Sequence, residues 1–168
     1  RIFTADHHVY DLPPLLSWNV RHTGTVPCDS WSVTAVYQPE MLTVLRMAAG
    51  FAAIENGMTQ LRGIVDEYTV ELGSRGMTVT LSGRGYAARL LDNESRPVTY
   101  EQVTLRELVR CHAEPYGISC GAAADLRSTV PYTAGVGISQ WKVISEFCRT
   151  YGGFLPRFAK TGELLATP

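Results

Sequence analysis

Charge is scarce in this chain. Only 18% of its 168 residues are Asp, Glu, Lys or Arg, and they nearly cancel, leaving a formal net charge of −1. That balance supplies no long-range pull toward nucleic acid, and no run of Lys or Arg forms a basic patch. Long apolar runs are missing too. The longest candidate, Met41 to Ile54, is interrupted by Arg46 and Gly50, so no segment reads as a membrane span. No signal peptide is visible, and a start at Arg1 predicts a trimmed N-terminus. The four cysteines, Cys28, Cys111, Cys120 and Cys148, have neither CxxC nor zinc-ribbon spacing. They read as reduced thiols, Cys111 and Cys148 on apolar helix faces, which fits an intracellular origin.

Signatures of chemistry are equally sparse. His7 and His8, flanked by Asp6 and Asp11, are the best metal candidates. Adjacent side chains of an extended segment point opposite ways, however, and no HxH or HxxxH spacing supports them. Cys111 and His112 diverge on a helix and make no dyad, and His112 reads as a core histidine. Ser82-Gly83-Arg84-Gly85 lacks the lysine of a phosphate loop and the three-glycine fingerprint of a dinucleotide site. It reads as a strand-to-helix turn. Asp66-Glu67 reads as a solvated strand end, and no acid pair stands out for general acid–base work. Trp141, at helical spacing with Ile144 and Phe147, reads as core rather than as a carbohydrate platform. The expectation is therefore no catalytic residue, no metal site and no cofactor.

What the sequence has is packing pattern. Residues 1–27, with Pro13, Pro14 and Pro27, read as an irregular arm lying on its own domain or on a neighbouring subunit. From Cys28 the period is two: Trp31, Val33, Ala35 and Tyr37 alternate with Ser32, Thr34 and Val36, a half-buried strand. Strands follow at Leu42 to Ala48 and at Phe51 to Glu55. Asn56-Gly57 supplies the positive φ angles of a tight hairpin turn, and another strand runs to Val65. Tyr68 to Leu72 and Met77 to Ser82 make a second hairpin around Gly73-Ser74-Arg75-Gly76. Such strands and turns predict a barrel or sandwich over residues 28–96. Gly83-Arg84-Gly85 breaks the pattern, and Tyr86 to Asp92 reads as a short helix.

Residues 97–168 read as a small α+β domain with two helices and short strands. Thr104 and Glu107 form a capping box for a helix with Leu105, Leu108, Val109 and His112 on one face. Pro115 and Gly117 stop it, and Ile118 to Cys120 reads as a short strand. Gly121 to Gly137 reads as a loop. Ser139 caps a second helix that turns Trp141, Ile144, Phe147, Cys148 and Tyr151 inward and ends at Gly152-Gly153. A last hairpin surrounds Lys160-Thr161-Gly162. The fold class is α+β, mainly β. The second domain is short for a core of its own, which predicts continuation in a longer protein or completion by a partner.

The order of these motifs carries more than each alone. I-E-N-G-M-T-Q-L-R-G-I-V-D-E-Y from Ile54, then M-T-V-T-L-S-G-R-G-Y-A-A-R-L-L-D from Met77, resembles the baseplate hub proteins of contractile-tailed phages. These include the late control proteins, and a related unit occurs in type VI secretion spike proteins. Asn56, Gly57, Gly63, Val65, Asp66, Ser82, Gly83, Arg84, Leu90, Leu91 and Asp92 match the family pattern. The later T-L-R-E-L-V and S-Q-W-K-V-I-S-E-F-C-R-T-Y-G-G-F-L stretches are similar as well, with Leu105, Leu108, Trp141 and Phe147 as helix core. The resemblance implies a structural virion protein of the tail baseplate, assembled in the bacterial cytoplasm. It implies a homotrimeric ring in which each subunit gives a β-barrel to a tube joining the tail tube to the central spike. Partners would be copies of itself, tail-tube and spike proteins, with no nucleic-acid recognition. Family members are longer and carry a second, similar barrel.

Two other classes compete. A small barrel could bind an oligosaccharide or single-stranded nucleic acid, but no basic, aromatic-studded strand face is visible. A hydrolase could use His7 and His8, but no substrate is indicated.

Overall fold

Alternating apolar and polar residues on both sides of Asn56-Gly57 demand a reversal, and the chain reverses there. The computed structural model describes residues 1–24, 28–74 and 76–168. Asn56 (φ 50°) and Gly57 (φ 77°) both take the left-handed conformation. The chain forms two units, Arg1–Gly85 and Tyr86–Pro168.

The first unit contains β1 (Ile2–Thr4), β2 (Val9–Tyr10), β3 (Leu15–Arg21), β4 (Ser30–Val36), α1 (Met41–Met47), β5 (Ala48–Glu55), β6 (Met58–Gly73) and β7 (Gly76–Gly85). They make a seven-stranded sheet in the order β2-β1-β5-β6-β7-β4-β3. Every pairing in it is antiparallel. The expected arm of residues 1–27 thus supplies three strands to the sheet, although Pro27 lies outside the described residues.

The sheet is not a closed barrel, as the sequence led us to expect. Among the described residues no ladder joins its edges, β2 and β3. It is nevertheless strongly curled. Seven flat strands would hold the edges about 29 Å apart at ordinary strand spacing. Yet β2 ends at Tyr10 and β3 begins at Leu15, and such a link spans at most about 18 Å. Pro13 and Pro14 lie in that link, and proline has no N–H with which to stitch a seam.

Three other local expectations change. Leu42 to Ala48 was expected as a strand and is mostly α1, because Met41 and Leu45, one helical turn apart, are the residues buried there. The two runs ending at Val65 and starting at Tyr68 are one 16-residue strand, β6, kept continuous by a bulge between Val65 and Glu67. Gly83-Arg84-Gly85 does not end the pattern but continues β7, paired with both β4 and β6. Gly73 faces Gly76 across the second hairpin, and Arg75 of its expected turn lies outside the described residues.

The second unit holds α2 (Ala88–Leu91), β8 (Val98–Tyr100), α3 (Leu105–His112), β9 (Cys120–Ala123), β10 (Tyr132–Ala134), α4 (Gln140–Gly152), β11 (Arg157–Phe158) and β12 (Leu164–Ala166). Its boundary precedes the expected one at residues 96/97 because α2 buries Leu90 in the second core. The capping box forms as read: Thr104 Oγ1 accepts from the Glu107 amide at 3.2 Å, and Glu107 accepts from the Thr104 amide at 2.8 Å. Ser139 caps α4 through the Lys142 amide, and Gly153 ends it at φ 70°. The loop expected over residues 121–137 contains part of β9 and all of β10. β10 pairs with β8, which went unread, and β9 pairs in parallel with β12.

The core joins Leu105, Leu108 and Val109 of α3 to Ile144, Phe147 and Cys148 of α4. Cys148 is buried but Cys111 is exposed, against expectation. It follows the polar face of α3, one step from Arg110. Burial pushes the Cys148 thiol and the Tyr132 hydroxyl each up to about 12. That tyrosine donates to the Val143 carbonyl at 2.7 Å.

Replacing Gly57 by valine puts a β-branched side chain at φ 77°. The expected loss is roughly 1–3 kcal/mol of stability. A denaturant melt checks it; an unchanged midpoint would contradict the turn.

Candidate functional site

One side chain crosses two strands of the first unit's sheet. Trp31 of β4 stands opposite Gly83 of β7. Its indole extends over Gly63 of β6 and stacks on Phe51 of β5, ring centroids 3.7 Å apart and planes 10° from parallel. Phe51 in turn pairs with Gly63. The indole N–H donates to the Ile64 carbonyl at 3.1 Å, so the buried polar atom is satisfied. Both glycines are required by close approach. A Cβ on Gly83 would overlap the Ile64 carbonyl oxygen and come within 2.9 Å of the indole. A Cβ on Gly63 would overlap the Arg84 carbonyl oxygen.

Beside this lies the bulge of β6. The register shift between Val65 and Glu67 leaves Asp66 without a cross-strand partner and aims it at Arg84. Its two carboxylate oxygens accept from Arg84 Nε at 2.8 Å and from a terminal guanidinium nitrogen at 3.0 Å, a bidentate pair. Glu67 accepts from Ser82 at 3.0 Å. Asp66-Glu67 is thus a pair of specific cross-strand ties, not the solvated strand end the sequence indicated. Gly63, Val65, Asp66, Ser82, Gly83 and Arg84 stand together around one bulge. Asn56 and Gly57 stand apart at a hairpin tip. Leu105, Leu108 and Phe147 lie in the second unit's core, while Trp141 is half-buried against Phe158, centroids 5.9 Å apart.

The sheet's two sides differ. Away from the core, Ser17, Thr34, Thr80 and Thr69 form a row across β3, β4, β7 and β6, and Asn19, Ser32, Ser82 and Glu67 form the next. Thr34 and Thr80 join by a 3.0 Å hydroxyl hydrogen bond. The core side carries Trp31, Val33, Ala35, Val79 and Leu81, all buried. That apolar side continues beyond the core. Trp18 faces Val33 across the ladder, yet is 66% exposed; Leu15 faces Ala35 and is also exposed. Leu72 and Met77 pair with each other two steps past Val70 and Val79, and Leu72 is 80% exposed. Apolar residues on the inner side of a curled sheet, left uncovered at its edge and end, form a candidate packing surface. Sequence reasoning missed it because Leu15 and Trp18 fell in the supposed arm. Only the register shows which side they occupy.

Among the described residues the histidines stand in separate small contacts. His8 pairs with Asp6 at 2.9 Å and His22 with Asp29 at 2.8 Å, both partly exposed. His112 is buried, with Gln140 Oε1 2.6 Å from Nδ1 and the Tyr100 hydroxyl 3.0 Å from Nε2. Among the described residues no three His, Cys, Asp or Glu side chains stand together as metal ligands, and no helix is long and apolar enough to cross a membrane.

Gly83→Ala should destabilise the first unit by about 1–3 kcal/mol through overpacking. Gly24→Ala meets open space and should change stability by less than about 0.5 kcal/mol. Equal melting midpoints for the two variants would contradict the close approach.

No protein-family model matches the chain, and no curated protein matches it. Solved structures do. The tail protein from Neisseria meningitidis MC58 superposes with a TM-score of 0.69 over 88% of this chain, at 16% identity. The 43 kDa tail protein of prophage MuSo2 from Shewanella oneidensis gives 0.64 over 84%, at 18% identity. The match covers 44% and 47% of those chains, so this chain spans less than half their length. Over most of its length its fold is similar to that of these two tail proteins.

Proposed function

We propose that this chain is a structural component of a phage tail, acting by assembly and without catalysis. The observation that carries the reading is the shared fold: 88% of the chain follows the Neisseria tail protein at a TM-score of 0.69. The finer reading is a baseplate hub of the late control type, related to type VI secretion spikes. In it, copies of the chain form a threefold ring between tail tube and central spike, in the virion, after assembly in the bacterial cytoplasm. The sequence motif around Asn56, Gly63, Asp66 and Arg84 favours that form. So does the uncovered apolar side of the sheet, which gives a ring a surface to bury with few charges to desolvate. A stable interface of this kind buries roughly 1,200–2,000 Å².

Light scattering over a concentration series tests the proposal, on the chain alone and mixed with the tail-tube protein of the same phage. The expected result is a mass rising toward three copies or co-elution with the tube. Trp18→Glu combined with Leu72→Glu should keep the circular-dichroism spectrum and lose the association. A mass of one chain under all conditions would contradict the reading.

A further inference from the structure

The second unit carries an open strand edge that the tail reading does not use. In the three-stranded sheet β11-β12-β9, β9 is an outer strand. Its inner neighbour is β12, and among the described residues no strand pairs with its other side. Gly121 and Ala122 are exposed. The chain arrives at β9 from α3 through the left-handed Gly117, which folds the strand back beside the helix. Between them runs a groove of about 910 Å³, walled by Arg106 and Arg110 of α3 and by residues 117–123. Val109 and Ile118 form part of its apolar lining, and both are buried.

The charges in this groove are unevenly committed. Glu107 is tied to Thr104 by its capping bonds, and its carboxyl is held below the ordinary range by the hydrogen bonds from the Thr104 amide and hydroxyl. Glu114 stands beyond the end of α3. Arg106 and Arg110 are exposed, and among the described residues neither is within ion-pair distance of a carboxylate, although the charge of Arg110 also helps to hold the Glu107 carboxyl down. They are one helical turn apart, about 6 Å along the axis. Side chains two residues apart on one face of a strand are about 6.6 Å apart. The two spacings are close, so carboxylates two residues apart on an added strand suit this arginine pair.

We propose that the α3–β9 groove binds an extended peptide as an added strand, its acidic residues spaced two apart to meet Arg106 and Arg110. Main-chain hydrogen bonds to β9 would supply the affinity and the two arginines the preference for acidic side chains. The proposal rests on the second unit alone and does not depend on ring formation.

Fluorescence anisotropy of the 168-residue protein with three labelled heptapeptides tests it. One alternates valine and glutamate. The second replaces glutamate by lysine. The third keeps the glutamates but has proline at its inner valines, preserving charge while removing ladder donors. The expected result is saturable binding of the first alone, weakened at least tenfold by Arg106→Gln with Arg110→Gln. Amide exchange should show new protection within β9, while melting of the double variant confirms folding. Equal binding of the first and third peptides would reduce the site to diffuse charge and overturn the proposal. So would binding that survives the double variant, or no binding at about 1 mM peptide.

Discussion

The first unit depends on a tryptophan lying on glycines. Trp31 can reach from β4 to Phe51 on β5 only if the two strands between them present no side chain beneath it, and Gly63 and Gly83 meet that condition. The same bareness lets β6 and β7 approach so closely that either Cβ would strike a carbonyl of the partner strand. Curvature follows, since side chains on the concave side of a sheet crowd where glycine does not. The bulge at Asp66 increases the bend and the local twist, and the Asp66–Arg84 pair fixes its register from the other side. Gly63, Asp66, Gly83 and Arg84, which look like scattered motif letters, are parts of one device for curling a sheet.

Much of this was legible in the sequence. Asn56-Gly57 announced its turn because only a few residue types tolerate its φ angles, and Thr104, Glu107 and Ser139 announced two helix starts because their side chains satisfy defined backbone donors. Local chemistry of that kind needs no partner distant in sequence. Long-range pairing was the illegible part. Gly83 and Gly85 look like strand breakers until Trp31 and Gly63 are placed beside them. Leu15, Trp18 and Pro14 look like an arm until β3 is set against β4. Met41 and Leu45 carry a helical period too short to outweigh a β-branched neighbour at Val44. The site surface was hidden for the same reason, since the side on which Trp18 and Leu72 sit is a property of register rather than of composition.

The proposed function rests on where the sheet stops being covered. A curled sheet with its apolar side packed on α1 is a stable unit, but Leu15, Trp18, Leu72 and Met77 extend that side past the residues that cover it. Exposed edge strands and apolar surface are costly in an isolated protein and useful in an assembled one. The second unit has its own core around α3 and α4.

Amide hydrogen exchange on the free chain, and on the chain mixed with the tail-tube protein of the proposed tail, tests the packing surface most directly. On association, protection should rise along Leu15 to Arg21 and around Leu72 and Met77, with the Trp31–Gly83 ladder already protected in the free chain. Unchanged exchange at β3 and at the Leu72 end, with new protection elsewhere in the first unit, would contradict it.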